Sequence, residues 1–166
     1  MFAGKTEELI RRLRRAEIAK VKVQAFKPRI DARYSAGELV SHDARRLPVE
    51  PVHHSVEIGR ALRPSTKVVG IDEAQFFDDG IVELVENLAG DSRRVVIAGL
   101  DLDSDGRPFG PMPALLAIAD AVLKLSAVCA LCGAEASRSA RVVQADEQVL
   151  VGGSEAYQAR CRRCWR

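Results

Sequence analysis

One short apolar run that closes on two acids, Lys67-Val68-Val69-Gly70-Ile71-Asp72-Glu73, constrains the fold more than any other feature of the chain. Nearly unbroken aliphatic strands belong to parallel sheets covered on both faces, because a strand with one wet face would alternate. Arg94-Val95-Val96-Ile97-Ala98-Gly99-Leu100 is a second run of the same kind. Between the two, Ile81, Val82, Leu84, Val85 and Leu88 fall at helical spacing and stop at Gly90. Upstream, residues 7–19 carry Leu9, Ile10, Leu13 and Ala16 on one stripe, with Arg11, Arg12, Arg14 and Arg15 as a solvated face. Val21, Val23 and Ala25 alternate with Lys22 and Gln24 as a strand would, and residues 27–35 read as a polar loop. Residues 47–52 read as a weak strand broken by Pro48 and Pro51, and Val56, Ile58 and Leu62 as a short helix ended by Pro64. Leu115, Leu116, Ile118 and Ala119 predict a helix after Pro111 and Pro113, and residues 121–125 a further strand. This alternation predicts an α/β domain over residues 1–126, a parallel sheet flanked by helices. After Ser126 the pattern changes to short strands framed by cysteines, which predicts a second unit over residues 127–166.

The length of 166 residues suits one such domain with a small appendage. The formal charge of +2 and pI near 8.4 are too balanced for a nucleic-acid scaffold. With 47% hydrophobic and 29% charged residues the chain is globular, and its 5% aromatic content leaves the core to aliphatic side chains. No apolar run approaches the roughly 18 residues that cross a bilayer, and no leader opens the chain, so a cytoplasmic protein without a membrane partner is expected.

Gly4-Lys5-Thr6, at the head of the first helical pattern, matches the end of the phosphate-loop signature G-x-x-x-x-G-K-[ST]. The first glycine of that signature, and the strand before it, would lie ahead of Met1. The expectation is therefore that Met1 is an internal residue of the native protein. In such a loop Gly4 lets the backbone fold around phosphate oxygens, Lys5 reaches the β- and γ-phosphates, and the Thr6 hydroxyl ligates Mg²⁺. Asp72, at the tip of its apolar strand, is the acid such a site needs in the Mg²⁺ shell. Glu73 points elsewhere, either to activate a water, as in an ATPase, or to take the proton of a substrate hydroxyl, as in a small-molecule kinase. The residue types alone leave both uses open.

Cys129-x-x-Cys132 and Cys161-x-x-Cys164 are separated by 28 residues. Two such pairs suit tetrahedral thiolate coordination of Zn²⁺, and without a secretion signal disulfides are disfavoured. Four protein ligands leave the ion no open position, so its task is structural: tying down the intervening segment. His42, His53 and His54 have no ligand-like spacing and read as loop or surface residues.

Several segments together resemble zinc-containing cytosolic thymidine kinases. They are Phe2-Ala3-Gly4-Lys5-Thr6-Glu7-Glu8-Leu9, Asp31-Ala32-Arg33-Tyr34-Ser35, Ser41-His42-Asp43 and Ile71-Asp72-Glu73-Ala74-Gln75-Phe76-Phe77. Gly99-Leu100-Asp101, Arg107-Pro108-Phe109-Gly110 and Leu150-Val151-Gly152-Gly153-Ser154-Glu155-Ala156-Tyr157 complete the set. The resemblance implies a phosphate-loop NTPase-like (RecA-like) sheet with a C-terminal zinc ribbon and a lasso loop. It implies transfer of the γ-phosphoryl group of ATP to the 5′-hydroxyl of thymidine, with Glu73 as general base. Met1, Phe2, Ala3, Gly4, Lys5, Thr6, Asp31, Ala32, Arg33, Asp72 and Gln75 would form the ATP and Mg²⁺ site. Phe76, Leu100, Ser104 and Phe109, with Met1 beside them, would border the nucleoside. Backbone groups of Gln148, Val149, Leu150, Val151 and Gly152, with Tyr157 alongside, would grip the base as the lasso closes. The family also implies a homotetramer inhibited by thymidine triphosphate.

Two departures stand out. The family has an aromatic and then a basic residue between Asp103 and Gly106, where this chain has Ser104-Asp105, so one wall of the pocket is loosened. The other is the incomplete phosphate loop. The alternatives are a phosphate-loop ATPase whose ribbon binds nucleic acid and a catalytically impaired relative that keeps the fold. In the first, Arg138, Arg141, Arg160, Arg162, Arg163 and Arg166 would supply charge and Trp165 would stack a base.

Overall fold

The computed structural model describes residues 1–29, 38–40, 46–143 and 156–165. Helix α1 (Lys5–Ile18) leads into β1 (Val23–Pro28). Short strands β2 (Glu38–Val40) and β3 (Arg46–Pro48) pair antiparallel, and β4 (Glu50–Val52) follows. Next come α2 (Ser55–Ala61), β5 (Val68–Ile71), a 3₁₀ turn at Ala74–Phe76, α3 (Gly80–Gly90), β6 (Arg94–Ile97) and α4 (Met112–Ile118). The main sheet has the order β4-β1-β5-β6 with every pair parallel, as the apolar runs predict.

The pleat sorts the strand side chains to two faces. Ala25 and Val68 meet Leu9, Ile10 and Leu13 of α1 on one side, while Phe26, Val69 and Ile71 meet Ile58, Ile81, Val85 and Leu115 on the other. The α1 contact is close at Gly70, where an added Cβ would lie 2.5 Å from Leu13 Cδ1. No side chain fits there, and α1 reaches the sheet through that gap. Buried Gln24 uses both ends of its amide: Oε1 accepts from the Arg63 N–H and the Thr66 hydroxyl, and Nε2 donates to Ala61 O and Glu50 Oε1.

Three local readings change. β1 continues to Pro28, two residues into the expected loop, because Phe26, Lys27 and Pro28 pair with β4. Residues 47–52 divide into two strands, with Pro51 tolerated in β4 at the sheet edge. The strand expected at residues 121–125 does not form. That segment has no regular structure and is exposed, and it lines a groove of about 750 Å³ beside β6 instead of pairing with it. A strand is defined by its ladder, and apolar composition alone cannot supply the partner.

The C-terminal unit holds two small antiparallel pairs. These are β7 (Ala127–Val128) with β8 (Glu135–Ala136), and β9 (Arg138–Arg141) with β10 (Tyr157–Arg160). Its core is Ala127, Cys129, Ala136, Ala159 and Cys161, and Phe2 and Ala3 from the start of the chain pack against it.

Candidate active site

The carboxyl ends of parallel strands are where α/β sheets place their chemistry, and Asp72 directly follows the end of β5. The Asp72 N–H donates to Phe26 O at 2.9 Å, which fixes the strand end against β1. From the other side comes the head of α1. Gly4 turns the chain into that helix with φ +73°, in the left-handed region where glycine is favoured. Phe2 sits at φ +63° without that freedom, and such conformations gather at functional sites. The Thr6 hydroxyl donates to Asp72 Oδ2 at 3.0 Å, so the loop and the strand tip meet as the motifs require.

Asp72 is 4% exposed. Burial pushes its carboxyl up to about 7, and the neighbouring Glu73 charge adds to the rise. The Thr6 hydroxyl, the Glu73 amide and the Lys5 ammonium pull it back only in part. A buried carboxylate with too few countercharges is a site that gains from a cation. Thr6 Oγ1 and Asp72 Oδ2 are hard oxygen donors of the kind Mg²⁺ takes, and Lys5, the first residue of α1, stands beside them.

Glu73 adopts φ 49° and ψ 43°, a left-handed bend, and its carboxylate stays close enough to raise the pKa of Asp72. Its N–H donates to Asp72 Oδ1 at 3.0 Å, and its Oε2 accepts from Gln75 Nε2. Gln75 is 3% exposed, and its Oε1 accepts from the Leu100 N–H at 3.0 Å. Ala74 N–H donates to Ala98 O at 3.0 Å. The turn carrying Glu73 is thus pinned to the end of β6 by one backbone and one side-chain bond. Gln75, expected beside the ATP phosphates, holds the Glu73 carboxylate with one end of its amide and the Leu100 N–H with the other.

Beyond Leu100 the chain makes a tight hairpin over residues 101–109. Phe109 N–H donates to Asp101 O, and Leu102 bridges Pro108. At its tip Gly106 N–H donates to Asp103 O at 3.1 Å, and Asp103 Oδ1 accepts from the N–H groups of Asp105 and Arg107, both at 2.9 Å. Ser104 stands on this tip. The Phe109 ring meets Phe76 edge-on, centroids 5.4 Å apart at 85°. Leu100, Met1, Ala3 and Lys5 share the wall of the groove beside β6. Tyr157 is buried in β10 with the Arg141 guanidinium over its ring.

Of the expected site residues, Asp72, Glu73, Gln75 and Phe76 lie just after β5 and Leu100 and Phe109 after β6, while Lys5 and Thr6 reach Asp72 from the head of α1. Asp31, Ala32, Arg33, Gln148, Val149, Leu150, Val151 and Gly152 lie outside the described residues, as do His42 and Arg166. His53 and His54 are exposed, as read from the sequence. The sequence reading missed Asp103 as the organiser of the hairpin, although Asp103-Ser104-Asp105-Gly106 carries the Asp-first, Gly-last pattern of a type I turn. It also missed the contact of Trp165 with that hairpin, which no local pattern encodes.

The four cysteine sulfurs lie within 4.8 Å of one another, and the Sγ atoms of Cys132 and Cys161 are 3.7 Å apart. That separation is far beyond a disulfide bond of about 2.05 Å. It matches the edge of a tetrahedron with metal–sulfur bonds of about 2.3 Å, roughly 3.8 Å. Backbone N–H groups, with that of Cys161 foremost, draw the Cys129 thiol down to about 6, whereas hydrogen bonds among the sulfurs push Cys164 up to about 12. Four thiolates so close together call for a divalent cation, and the donor set fits structural zinc.

A family model described as thymidine kinase matches residues 1–165. The chain belongs to the thymidine kinase family. It is 55% identical over 163 residues to a thymidine kinase of Bdellovibrio bacteriovorus, covering 98% of this chain and 80% of the relative. A thymidine kinase of Porphyromonas gingivalis is 55% identical over 166 residues, covering 100% of this chain and 81% of the relative. One from a Rhodothermus species is 52% identical over 165 residues, covering 99% and 77%. The family, the α/β fold with its cysteine cluster and the kinase class expected from the sequence are borne out, and the family implies ATP and thymidine as substrates. No helix among the described residues is long and apolar enough to cross a membrane.

Proposed function

We propose that this chain transfers the γ-phosphoryl group of ATP to the 5′-hydroxyl of thymidine, giving dTMP and ADP. The observation that carries the reading is the junction of Thr6 and Asp72 at 3.0 Å with Glu73 held beside it. Gly4 and the N–H groups at the head of α1 receive the phosphates, with Lys5 spreading their charge. Mg²⁺ would be held by Thr6 and Asp72, where it would neutralise charge developing between the β- and γ-phosphates. Phe2, Ala3, Met1 and the Asp31-Ala32-Arg33 segment complete the ATP side of the site.

Glu73 is the general base. Gln75 donates to its carboxylate and so keeps it aimed. As the 5′-oxygen attacks the γ-phosphorus, Glu73 takes its proton and ADP departs with the electrons of the broken bond. Phe76, Leu100, Ser104 and Phe109 border the nucleoside. The lasso over Gln148, Val149, Leu150, Val151 and Gly152, with Tyr157, closes on the base and excludes water from the transfer. Zinc on Cys129, Cys132, Cys161 and Cys164 anchors both ends of that lasso. A cytoplasmic homotetramer inhibited by dTTP completes the proposal.

For the alternative nucleic-acid-binding ribbon, three of its arginines are engaged within the ribbon. Arg138 lies over Trp165, Arg141 over Tyr157, and Arg160 donates to Gln158 and Cys164 O. The test is ADP release from Mg-ATP with and without thymidine. Thymidine-dependent release with equal dTMP is expected, and Glu73→Gln should lower kcat by about 10²–10⁴ while ATP still binds. Release indifferent to nucleosides would make Glu73 a water-activating residue, and near-normal turnover of the variant would remove it as the base.

A further inference from the structure

Trp165 is the sole tryptophan of the chain and directly follows Cys164. Its half-buried indole lies against Gly106, at the tip of the hairpin that carries Ser104. The approach leaves no room: a Cβ on Gly106 would fall 2.6 Å from the far edge of the ring, and the residue has φ +76°. The Arg138 guanidinium lies over the same ring, 5.8 Å from its centroid. Glycine is therefore required at position 106 twice, once by the turn and once by the indole.

The hairpin's own hydrogen bonds fix its shape, since Asp103 serves the N–H groups of Asp105 and Arg107 and its own carbonyl receives Gly106. They do not fix where its tip stands relative to the rest of the site. That placement falls to contacts outside the hairpin, and at the tip the contact is Trp165. We infer that Trp165 is a positioning residue: by packing on Gly106 it sets the distance of Ser104 from the nucleoside and ties that wall to the cysteine cluster. The inference rests on the proposed nucleoside pocket. It also bears on the departure at Ser104. A small side chain walls the pocket largely with backbone, so a shift of the tip is not absorbed by a flexible ring. A misplacement of about 1 Å can cost a large part of the rate.

Because no other tryptophan is present, intrinsic emission reports this contact directly. Adding thymidine to the full chain should change Trp165 emission. Trp165→Ala should raise the KM for thymidine about five- to tenfold with the KM for ATP nearly unchanged, and Trp165→Phe should restore most of it. Zinc content and melting temperature, measured alongside, show whether the variant is folded. Equal loss toward ATP and thymidine, or loss of zinc, would make the ring a general prop and overturn the inference. So would a thymidine KM untouched by Trp165→Ala. Gly106→Ala attacks the contact from the other side and leaves the zinc knuckle in place. It should displace the indole and red-shift its emission without any substrate; unchanged emission and KM would overturn the inference as well. ADP release indifferent to every nucleoside would refute the kinase reading itself, and the Gly106→Ala emission shift would then still uphold the contact.

Discussion

Replacing Asp72 by Asn should make the empty protein more stable and unable to bind Mg-ATP productively. The reason is that Asp72 is 4% exposed and its carboxyl is pushed from 3.8 to about 7, chiefly by burial and then by the Glu73 charge. A shift of about three pH units at about 1.4 kcal/mol each sets a ceiling near 4 kcal/mol on the cost of carrying that charge above pH 7. Relaxation around the site lowers the figure, so about 2–4 kcal/mol is expected. Asn keeps the shape, can still accept one of the two hydrogen bonds from Thr6 and Glu73, and is never charged.

The pH dependence follows from the sign of the shift. The folded state holds the Asp72 proton to higher pH than the unfolded chain does, so wild-type stability falls as pH rises from about 4 to about 7 and is level above. The variant has no such titration. At pH 8, without nucleotide, Asp72→Asn should melt about 4–16 °C higher, taking roughly 2–4 °C per kcal/mol for a chain of this size. The gap should close as pH approaches 4. With Mg-ATP present the order should reverse, because only the wild type gains from the ligand. A variant that melts at or below the wild type at pH 8, or a gap that widens toward pH 4, would refute the reasoning.

Two further outcomes test the parts around the site. Cys161→Ser should release zinc, as metal analysis would show, and should cost thymidine turnover because the ribbon core loses one of its buried residues and the lasso its anchor. Gly70→Ala should destabilise the α/β domain by about 1–3 kcal/mol in denaturant titration, since its Cβ would meet Leu13 Cδ1 at 2.5 Å and force α1 outward.

What could be read from the sequence was whatever local pattern encodes. Continuous aliphatic runs gave β5 and β6, and helical spacing gave α1, α3 and α4 close to their observed bounds. Gly4-Lys5-Thr6 and Asp72 were legible because phosphate chemistry demands those residue types, and the Thr6–Asp72 bond joins them across 66 positions. The two Cys-x-x-Cys pairs were legible for the same reason. Residues 121–125 misled because a strand depends on a neighbour: Val122, Leu123 and Leu125 are apolar, yet they remain exposed along the groove beside β6. The partners of Gln75, Glu73 and the Leu100 N–H, are not legible in the sequence, because they depend on how the 3₁₀ turn meets the end of β6. Contacts of that kind are set by tertiary geometry.

The positions that sequence rules would forbid are informative for the same reason. Phe2 and Glu73 both adopt left-handed backbone without being glycine, Phe2 just ahead of α1 and Glu73 next to the buried Asp72. Such residues cost roughly 1–3 kcal/mol each and persist only where surrounding structure holds them. For Glu73 the holding groups are Gln75, Ala98 and Asp72. For Phe2 they include the apolar core of the ribbon, Cys129 and Cys161 among it. The ribbon therefore packs on the candidate site at two places, at Phe2 ahead of α1 and at Gly106 through Trp165. On the proposed reading, a cation bound by the four cysteines would bear on both the ATP side and the nucleoside side of the site through those two contacts.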